Sequence, residues 1–245
     1  VVLVTGGSRG VGRGICARFA EAGALVFTCG RTPPEGTTES FITTDVREPE
    51  EVERLIAQIV ERADRLDVVV NNAGGSPPAD SASASPRFST SIVALNLLAP
   101  LFVAQEANRV MQDQPSGGTI INIASVSGTR ASPATAAYGA AKAGLLNLTQ
   151  TLAVEWAPKV RVNAVTVGLV RTEQANMFYG DEAGIAAVGR TVPAGRMADP
   201  ADVADACIML ASSLARYISG ANLLVHGGGE LPAYLGASTG AVRQE

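Results

Sequence analysis

Val1-Val2-Leu3-Val4-Thr5-Gly6-Gly7-Ser8-Arg9-Gly10-Val11-Gly12 runs from an apolar, β-branched pentapeptide straight into a turn built on glycine. Apolar residues that do not alternate with polar ones predict a strand buried on both faces. Glycines at the turn from such a strand into a helix let the backbone approach a pyrophosphate closely, and the free N–H groups at the helix N-terminus then meet its charge. A glycine-rich segment also describes an ordinary tight turn. Its position between a buried strand and the amphipathic segment Arg13–Ala22 favours the dinucleotide reading.

Outward from this turn, short runs of Val, Ile, Leu and Thr predict strands at Val1–Thr5, Ala24–Cys29, Phe41–Thr44, Asp67–Asn71, Gly118–Ala124, Val160–Thr166 and Asn222–His226. Helical patterns fill most of the intervals, at Arg13–Ala22, Glu48–Arg62, Arg87–Gln112, Ala134–Ala157 and Pro200–Ser212. In the second of these Val52, Leu55, Ile56 and Ile59 share one face, with Glu51, Glu53 and Arg54 elsewhere. Alternation of strand and helix predicts an α/β fold: a doubly wound, parallel, seven-stranded sheet with helices on both faces. Arg31-Thr32-Pro33-Pro34-Glu35-Gly36 leaves little room for a helix and predicts an exposed loop, as does Ser76–Pro86. No composition shift or repeat divides the chain, so residues 1–245 read as a single domain.

Composition sets limits on function. Hydrophobic residues make up 47% and charged residues 17%, enough apolar side chain for a sizeable core and the opposite of a disordered chain. A net charge of −4 argues against a broad nucleic-acid footprint. Apolar runs long enough to cross a bilayer are not expected, and neither is a cleavable leader, which predicts a cytoplasmic protein without a membrane partner. Cys16, Cys29 and Cys207 are scattered and His226 is the single histidine, so neither a disulfide framework nor a metal site is expected. Three small buried hydrophobes are the simpler reading of the cysteines.

About 20 residues beyond the glycine turn, an NAD-binding protein places an acid for the ribose 2′-hydroxyl. Here the second strand ends Cys29-Gly30-Arg31, without a carboxylate at its tip. Arg31, and Arg9 within the turn, offer guanidinium forks suited to a 2′-phosphate. The expectation is NADP(H) as the preferred cofactor, with NAD(H) as the alternative if both arginines are merely solvated.

Tyr138 and Lys142 lie four residues apart on one face of the helix predicted at Ala134–Ala157. The chain has four tyrosines and two lysines, so this spacing arises by chance only about 3% of the time. An ammonium beside a phenol favours phenolate, which predicts a lowered Tyr138 pKa and a group able to exchange a proton with a carbonyl or alcohol oxygen. Ser125 closes the strand Thr119–Ala124 at the carboxyl edge of the sheet, where open α/β folds bind ligands.

Together these residues resemble the classical short-chain dehydrogenase/reductase family, over essentially the whole chain. The resemblance rests on the Thr5–Gly12 turn, Asp45-Val46, Asn71-Asn72-Ala73-Gly74, Asn96, Ser125, the Tyr138-x-x-x-Lys142 pair, Arg161-Val162-Asn163-Ala164 and Gly227-Gly228. It implies a Rossmann fold and an oxidoreductase that interconverts a ketone and a secondary alcohol by hydride transfer. Tyr138 would be the general acid/base and Lys142 its pKa modifier, also bound to the nicotinamide ribose. Ser125 would orient the substrate oxygen, and Asn96 would hold a water relaying protons from Lys142; bridging backbone groups is the alternative for Asn96. Gly6, Ser8, Arg9, Gly10, Val11 and Gly12 would surround the pyrophosphate. Asp45 and Val46 would hold the adenine, and Asn72, Ala73 and Gly74 would line the adenosine side. Gly168, Val170 and Thr172 would touch the carboxamide end. A homotetramer is implied too, with helices around Arg87–Gln112 and Ala134–Ala157 against symmetry mates; the apolar face of Leu145, Leu148, Leu152 and Trp156 fits contacts within or between chains.

Two positions depart from the family pattern. Val167 replaces a usual proline before Gly168, which frees φ and predicts a more mobile loop there, and His226 replaces a usual aspartate. Residues 168–200 read as a lid insertion: Met177, Phe178, Tyr179, Ile185 and Val188 either cover a partly apolar substrate or bury themselves against the body. Ser76-Pro77-Pro78 would form the opposite rim, and residues 230–245 a C-terminal tail. A non-catalytic NADP(H)-binding regulator and an epimerase or dehydratase on the same scaffold are the alternatives to a ketoreductase.

Overall fold

The computed structural model describes residues 1–34 and 40–237. Its seven strands are β1 (Val2–Thr5), β2 (Val26–Gly30), β3 (Phe41–Thr43), β4 (Val68–Asn71), β5 (Gly118–Ser125), β6 (Val160–Val167) and β7 (Asn222–Val225). They form one parallel sheet in the order β3-β2-β1-β4-β5-β6-β7. The Rossmann-type doubly wound sheet expected from the strand–helix alternation is therefore present, with boundaries moved by one or two residues. β2 starts later than expected because Gly23, at φ +84°, turns the chain out of the preceding helix and Ala24-Leu25 connect it to the strand. Glu35 and Gly36 of the predicted loop, and the tail from residue 238, lie outside the described residues.

Strand residues of alternate parity face two separate cores. On one side Leu3, Val69, Ile120 and Val162 pack with α2 (Pro49–Ala63), α4 (Ala99–Asp113) and α5 (Ala136–Glu155). On the other, Val4, Val70, Ile121 and Val165 pack with α1 (Gly10–Glu21) and α8 (Pro200–Ala211) through Ile15, Phe19, Val203 and Cys207. Each fully buried aliphatic side chain contributes about 1.5–3 kcal/mol, and burial on both faces explains the unbroken apolar strands. Helix starts follow local chemistry: Pro49 and Pro200 stand in the first turns of α2 and α8, and Asp199 with Asp202 forms a reciprocal capping box. The face of Leu145, Leu148, Leu152 and Trp156 is used within the chain: Leu145 and Leu152 are buried, and Leu148 and Trp156 pack onto the first core. All three cysteines are free, and burial pushes Cys29 and Cys207 up to about 12 and Cys16 to about 11.

The helix expected over Arg87–Gln112 is interrupted. α3 (Pro86–Val93) leads into a π-helical turn at Ala94–Leu98 and then α4. Together Pro86–Asp113 are long and apolar enough to cross a membrane by length and composition, which corrects the expectation of no such run. Val103, Ala104, Ala107 and Met111 of this stretch are core residues, so its apolar character has a use within the fold.

A polar chain crosses the first core. Asn71 Nδ2 donates to Pro100 O (3.1 Å) and to Asn122 Oδ1 (2.9 Å). Asn122 Nδ2 donates to Thr149 Oγ1 (2.9 Å), which donates to Leu145 O (2.8 Å). It ties β4, β5, α4 and α5 at the level where the strands end. Asn122→Ala leaves a cavity and strips the buried Asn71 amide of one partner, so it should cost about 2–3 kcal/mol. Urea denaturation would measure this, and a loss below about 0.5 kcal/mol would show that the chain does not bear on stability.

Candidate active site

The turn between β1 and α1 is held against the end of β4. Thr5 Oγ1 accepts from the N–H groups of Asn72 and Ala73 (both 3.0 Å), while Asn72 Nδ2 donates to the carbonyls of Thr5 (2.9 Å) and Gly6 (3.2 Å). Packing is so close that a Cβ on Gly12 would stand 2.3 Å from Gly6 O, and Gly6 itself has φ +68°. β1 and β4 are the neighbours between which the strand order reverses, so a crevice opens there at the carboxyl ends of the strands.

That crevice is a cavity of about 800 Å³. Every residue named from the sequence for the cofactor lines it: the turn residues Gly6, Ser8, Arg9, Gly10, Val11 and Gly12, then Arg31, Asp45 and Val46, then Asn72, Ala73 and Gly74, and finally Tyr138, Lys142, Gly168, Val170 and Thr172. Ser125 lines it too, whereas Asn96 does not. Sequence reasoning passed over Arg47, Leu95 and Gln174 on its walls. Arg9 and Arg31 are exposed and make no ion pair among the described residues. Arg47 Nε donates to Asp45 Oδ1 (2.9 Å). The Arg47 guanidinium, partly offset by burial and helped by the Arg31 charge, holds the Asp45 carboxyl below the usual carboxylate range.

At the opposite end α5 and β5 bring Ser125, Tyr138 and Lys142 together. The Ser125 hydroxyl hydrogen-bonds Tyr138 and accepts from the Ser127 N–H at 3.2 Å. Lys142 Nζ lies 5.7 Å from the Tyr138 ring centroid and donates to Ile123 O at 2.8 Å. Burial dominates both groups. It raises the Tyr138 phenol above its ordinary value, against a smaller lowering by Ser125, and it depresses Lys142 to about 8. The expected lowering of the Tyr138 pKa is thus not found: the phenol is removed from water and the amine is directed to a backbone carbonyl.

Asn96 sits in the π-helical turn with no exposed surface. Its Oδ1 accepts from Gly75 N (2.9 Å), and its Nδ2 donates to Gly75 O and Ile92 O (both 2.9 Å). Its side chain therefore bridges backbone groups. A Cβ on Gly74 would meet Asn96 Oδ1 at 2.7 Å and Lys142 Nζ at 3.4 Å, so glycine lets the two approach each other. Pro100 was the overlooked signal for the interrupted helix: it has no N–H to give the Asn96 carbonyl four residues earlier.

After β6 the chain forms α6 (Ala175–Tyr179) and α7 (Glu182–Gly189). Ile185 packs with Ala175 and Met197 in a small third core that Tyr179 and Val188 join, while Met177 and Phe178 stay exposed. Val167 is the last residue of β6, buried and paired with Ser125 and Val225, so the ladder holds it. His226 is half-buried, packed where a Cβ on Gly168 would come within 2.7 Å of its Cβ. Ser76 turns back on Pro77 O and borders a separate small cavity with Phe88 and Thr135.

Lys142 gives a pH signature. It loses its proton near pH 8 in the folded chain and near 10.5 when unfolded, so between these values the unfolded state binds more protons and stability rises with pH. Below about pH 8 the cost of burying the charge stands in full. The stability of the wild type relative to Lys142→Met should therefore rise from pH 8 to pH 10.5, by up to roughly 3 kcal/mol. Urea midpoints at both ends would measure it, and a pH-independent difference would contradict the depressed lysine.

Comparison with known proteins shows the family and the fold. The family profile described as enoyl-(acyl carrier protein) reductase matches residues 6–230. An uncharacterized oxidoreductase of Mycobacterium tuberculosis is 34% identical over 95% of this chain and 92% of its own. The ligand-free aldohexose dehydrogenase of Thermoplasma acidophilum superposes with a TM-score of 0.88 at 29% identity, covering 100% of this chain and 97% of that one. The NADP-bound structure of ElxO gives 0.83 at 29% identity, over 93% and 97% of the two chains. The chain belongs to the classical short-chain dehydrogenase/reductase family of oxidoreductases.

Proposed function

We propose that this chain is an NADP(H)-dependent oxidoreductase that interconverts a ketone and a secondary alcohol, with Tyr138 as the proton-exchanging group. One observation carries the reading: Ser125, Tyr138 and Lys142 share one end of a cavity whose other end is the glycine turn with Arg9 and Arg31. The cavity fits a dinucleotide because glycine backbone lines its end at the turn, where close packing of Gly12 on Gly6 leaves no room for a Cβ, and because the α1 N-terminus opens into it. Gly10, Val11 and Gly12 would receive the phosphates, Asp45 and Val46 the adenine, and Gly168, Val170 and Thr172 the carboxamide. Arg9 and Arg31 would take a 2′-phosphate, the difference that selects NADP(H) over NAD(H). When bound, the nicotinamide supplies the hydride in one direction and accepts it in the other.

The chain's own part is proton transfer and charge stabilisation. Burial keeps Tyr138 protonated at neutral pH, the state that carbonyl reduction consumes. Its hydroxyl gives a proton to the substrate oxygen while Ser125, already hydrogen-bonded to it, steadies the charge that develops there. Lys142, depressed to about 8, is poised to resupply that proton, and the Asn96 carbonyl, which Pro100 cannot engage, would hold the connecting water. The exposed Met177 and Phe178 suit a substrate with an apolar portion, and the 168–200 segment would act as its lid. Exposed Leu214, Tyr217, Ile218 and Leu224, in and before β7, support assembly into a homotetramer.

Tyr138→Phe should lower kcat by about 10²–10⁴ with NADPH affinity retained. In the wild type, reduction should fall and oxidation should rise as pH increases into the alkaline range, because the first uses phenol and the second phenolate. Turnover by Tyr138→Phe at wild-type rates removes Tyr138 from the chemistry. Arg31→Ala should raise the KM for NADPH about ten-fold or more and leave that for NADH unchanged. Steady-state kinetics with both cofactors would measure this, and equal wild-type efficiency with both would overturn the NADP(H) preference.

A further inference from the structure

α1 begins without the usual help at its N-terminus. Its N-cap is Arg9, which makes no side-chain capping bond, and its first turn has no acidic residue. The anion that these N–H groups attract comes from 163 residues away: Gly10 N donates to both carboxylate oxygens of Glu173, at 3.2 and 3.1 Å. Arg13 Nη2 pairs with the same carboxylate at 2.9 Å. Glu173 lies between Thr172 and Gln174, both on the cavity wall, and a Cβ on Gly10 would meet Thr172 Cγ2 at 3.6 Å. The segment leading into α6 is thereby fastened to the glycine turn beside the cleft.

We infer that Glu173 is an internal stand-in for the cofactor phosphate: its carboxylate occupies the anion-binding end of α1 in the cofactor-free chain, and a dinucleotide must displace it to bind. This rests on the dinucleotide reading proposed above. Two anions cannot both take the Gly10 N–H, so phosphate entry releases Glu173 and frees the segment before α6 from the turn. The latch occupies the Gly10 N–H when the cleft is empty and lowers apparent cofactor affinity by the fraction of chains that are latched. Its strength suits exchange. Glu173 and Arg13 retain 41% and 67% of their side-chain exposure, and contacts of this kind at a helix N-terminus are individually weak. Removing the latch should thus change affinity by a factor of several and not by orders of magnitude.

The test is NADPH titration, followed by calorimetry, of the wild type, Glu173→Ala and Glu173→Asp. Glu173→Ala should bind NADPH about five-fold more tightly. Glu173→Asp keeps the charge but is one methylene short of the Gly10 N–H, so it should tighten binding comparably. If Glu173 acted only as a distant negative charge, the aspartate variant would bind like the wild type, and that result overturns the latch. Unchanged or weaker binding by Glu173→Ala overturns it as well. Inorganic pyrophosphate separates this from the dinucleotide reading: it should raise the Tm of Glu173→Ala more than that of the wild type. A chain that binds no dinucleotide in any form refutes the proposed cofactor, and the latch then stands or falls on the pyrophosphate result alone.

Discussion

The crevice depends on the clamp between Thr5 and Asn72. At the point where the strand order reverses, β1 leads toward β2 and β3 while β4 leads toward β5, β6 and β7. The two strand ends are held by four hydrogen bonds that involve the Thr5 hydroxyl, the Asn72 amide and adjacent backbone groups. A hydroxyl accepting two N–H groups and an amide donating to two carbonyls leave little freedom for the glycine turn. That fixed turn aims the α1 N-terminus into the cavity, so a backbone detail at residues 5 and 72 sets the position of the anion site.

The reacting end is arranged against the chain's own stability. Lys142 has almost no exposed surface and donates to a backbone carbonyl, and Tyr138 is largely withdrawn from water. Burying an amine and a phenol side by side disfavours the charged form of each, so the phenol keeps its proton while the amine gives its own up more readily. The polar chain from Asn71 through Asn122 to Thr149 lies in the core beneath, on the same β4, β5 and α5. It supplies the rigidity that two weakly solvated ionisable groups do not.

Much of this was legible in the sequence because the signals are local. Unbroken Val and Ile runs mark strands buried on both faces, and the four-residue spacing of Tyr138 and Lys142 needs only a helix to put them on one side. The residues named for the cofactor converge on one cavity since most stand at the carboxyl end of a strand or just beyond it, while Tyr138 and Lys142 reach it from α5. The errors came where tertiary context outweighs spacing. The Tyr138 pKa follows burial, which a one-dimensional pattern does not report. The helix through Arg87–Gln112 reads as continuous because its apolar period continues on either side of Pro100. Glu173 on Gly10 joins residues 163 positions apart, and Asp45 pairs with Arg47 across a turn that composition does not mark.

The π-helical turn at Ala94–Leu98 has a consequence for the phase of the helix that follows. An α-helix advances about 100° per residue, and the wider turn absorbs the equivalent of one extra residue. Forcing the same residues into a regular ladder, with none removed, would rotate every later position by about that angle. Val103, Ala107 and Met111, now turned inward, would swing toward the rim while their polar neighbours took the inner side. The local bulge that seats Asn96 is therefore also the spacer that keeps α4 facing the sheet.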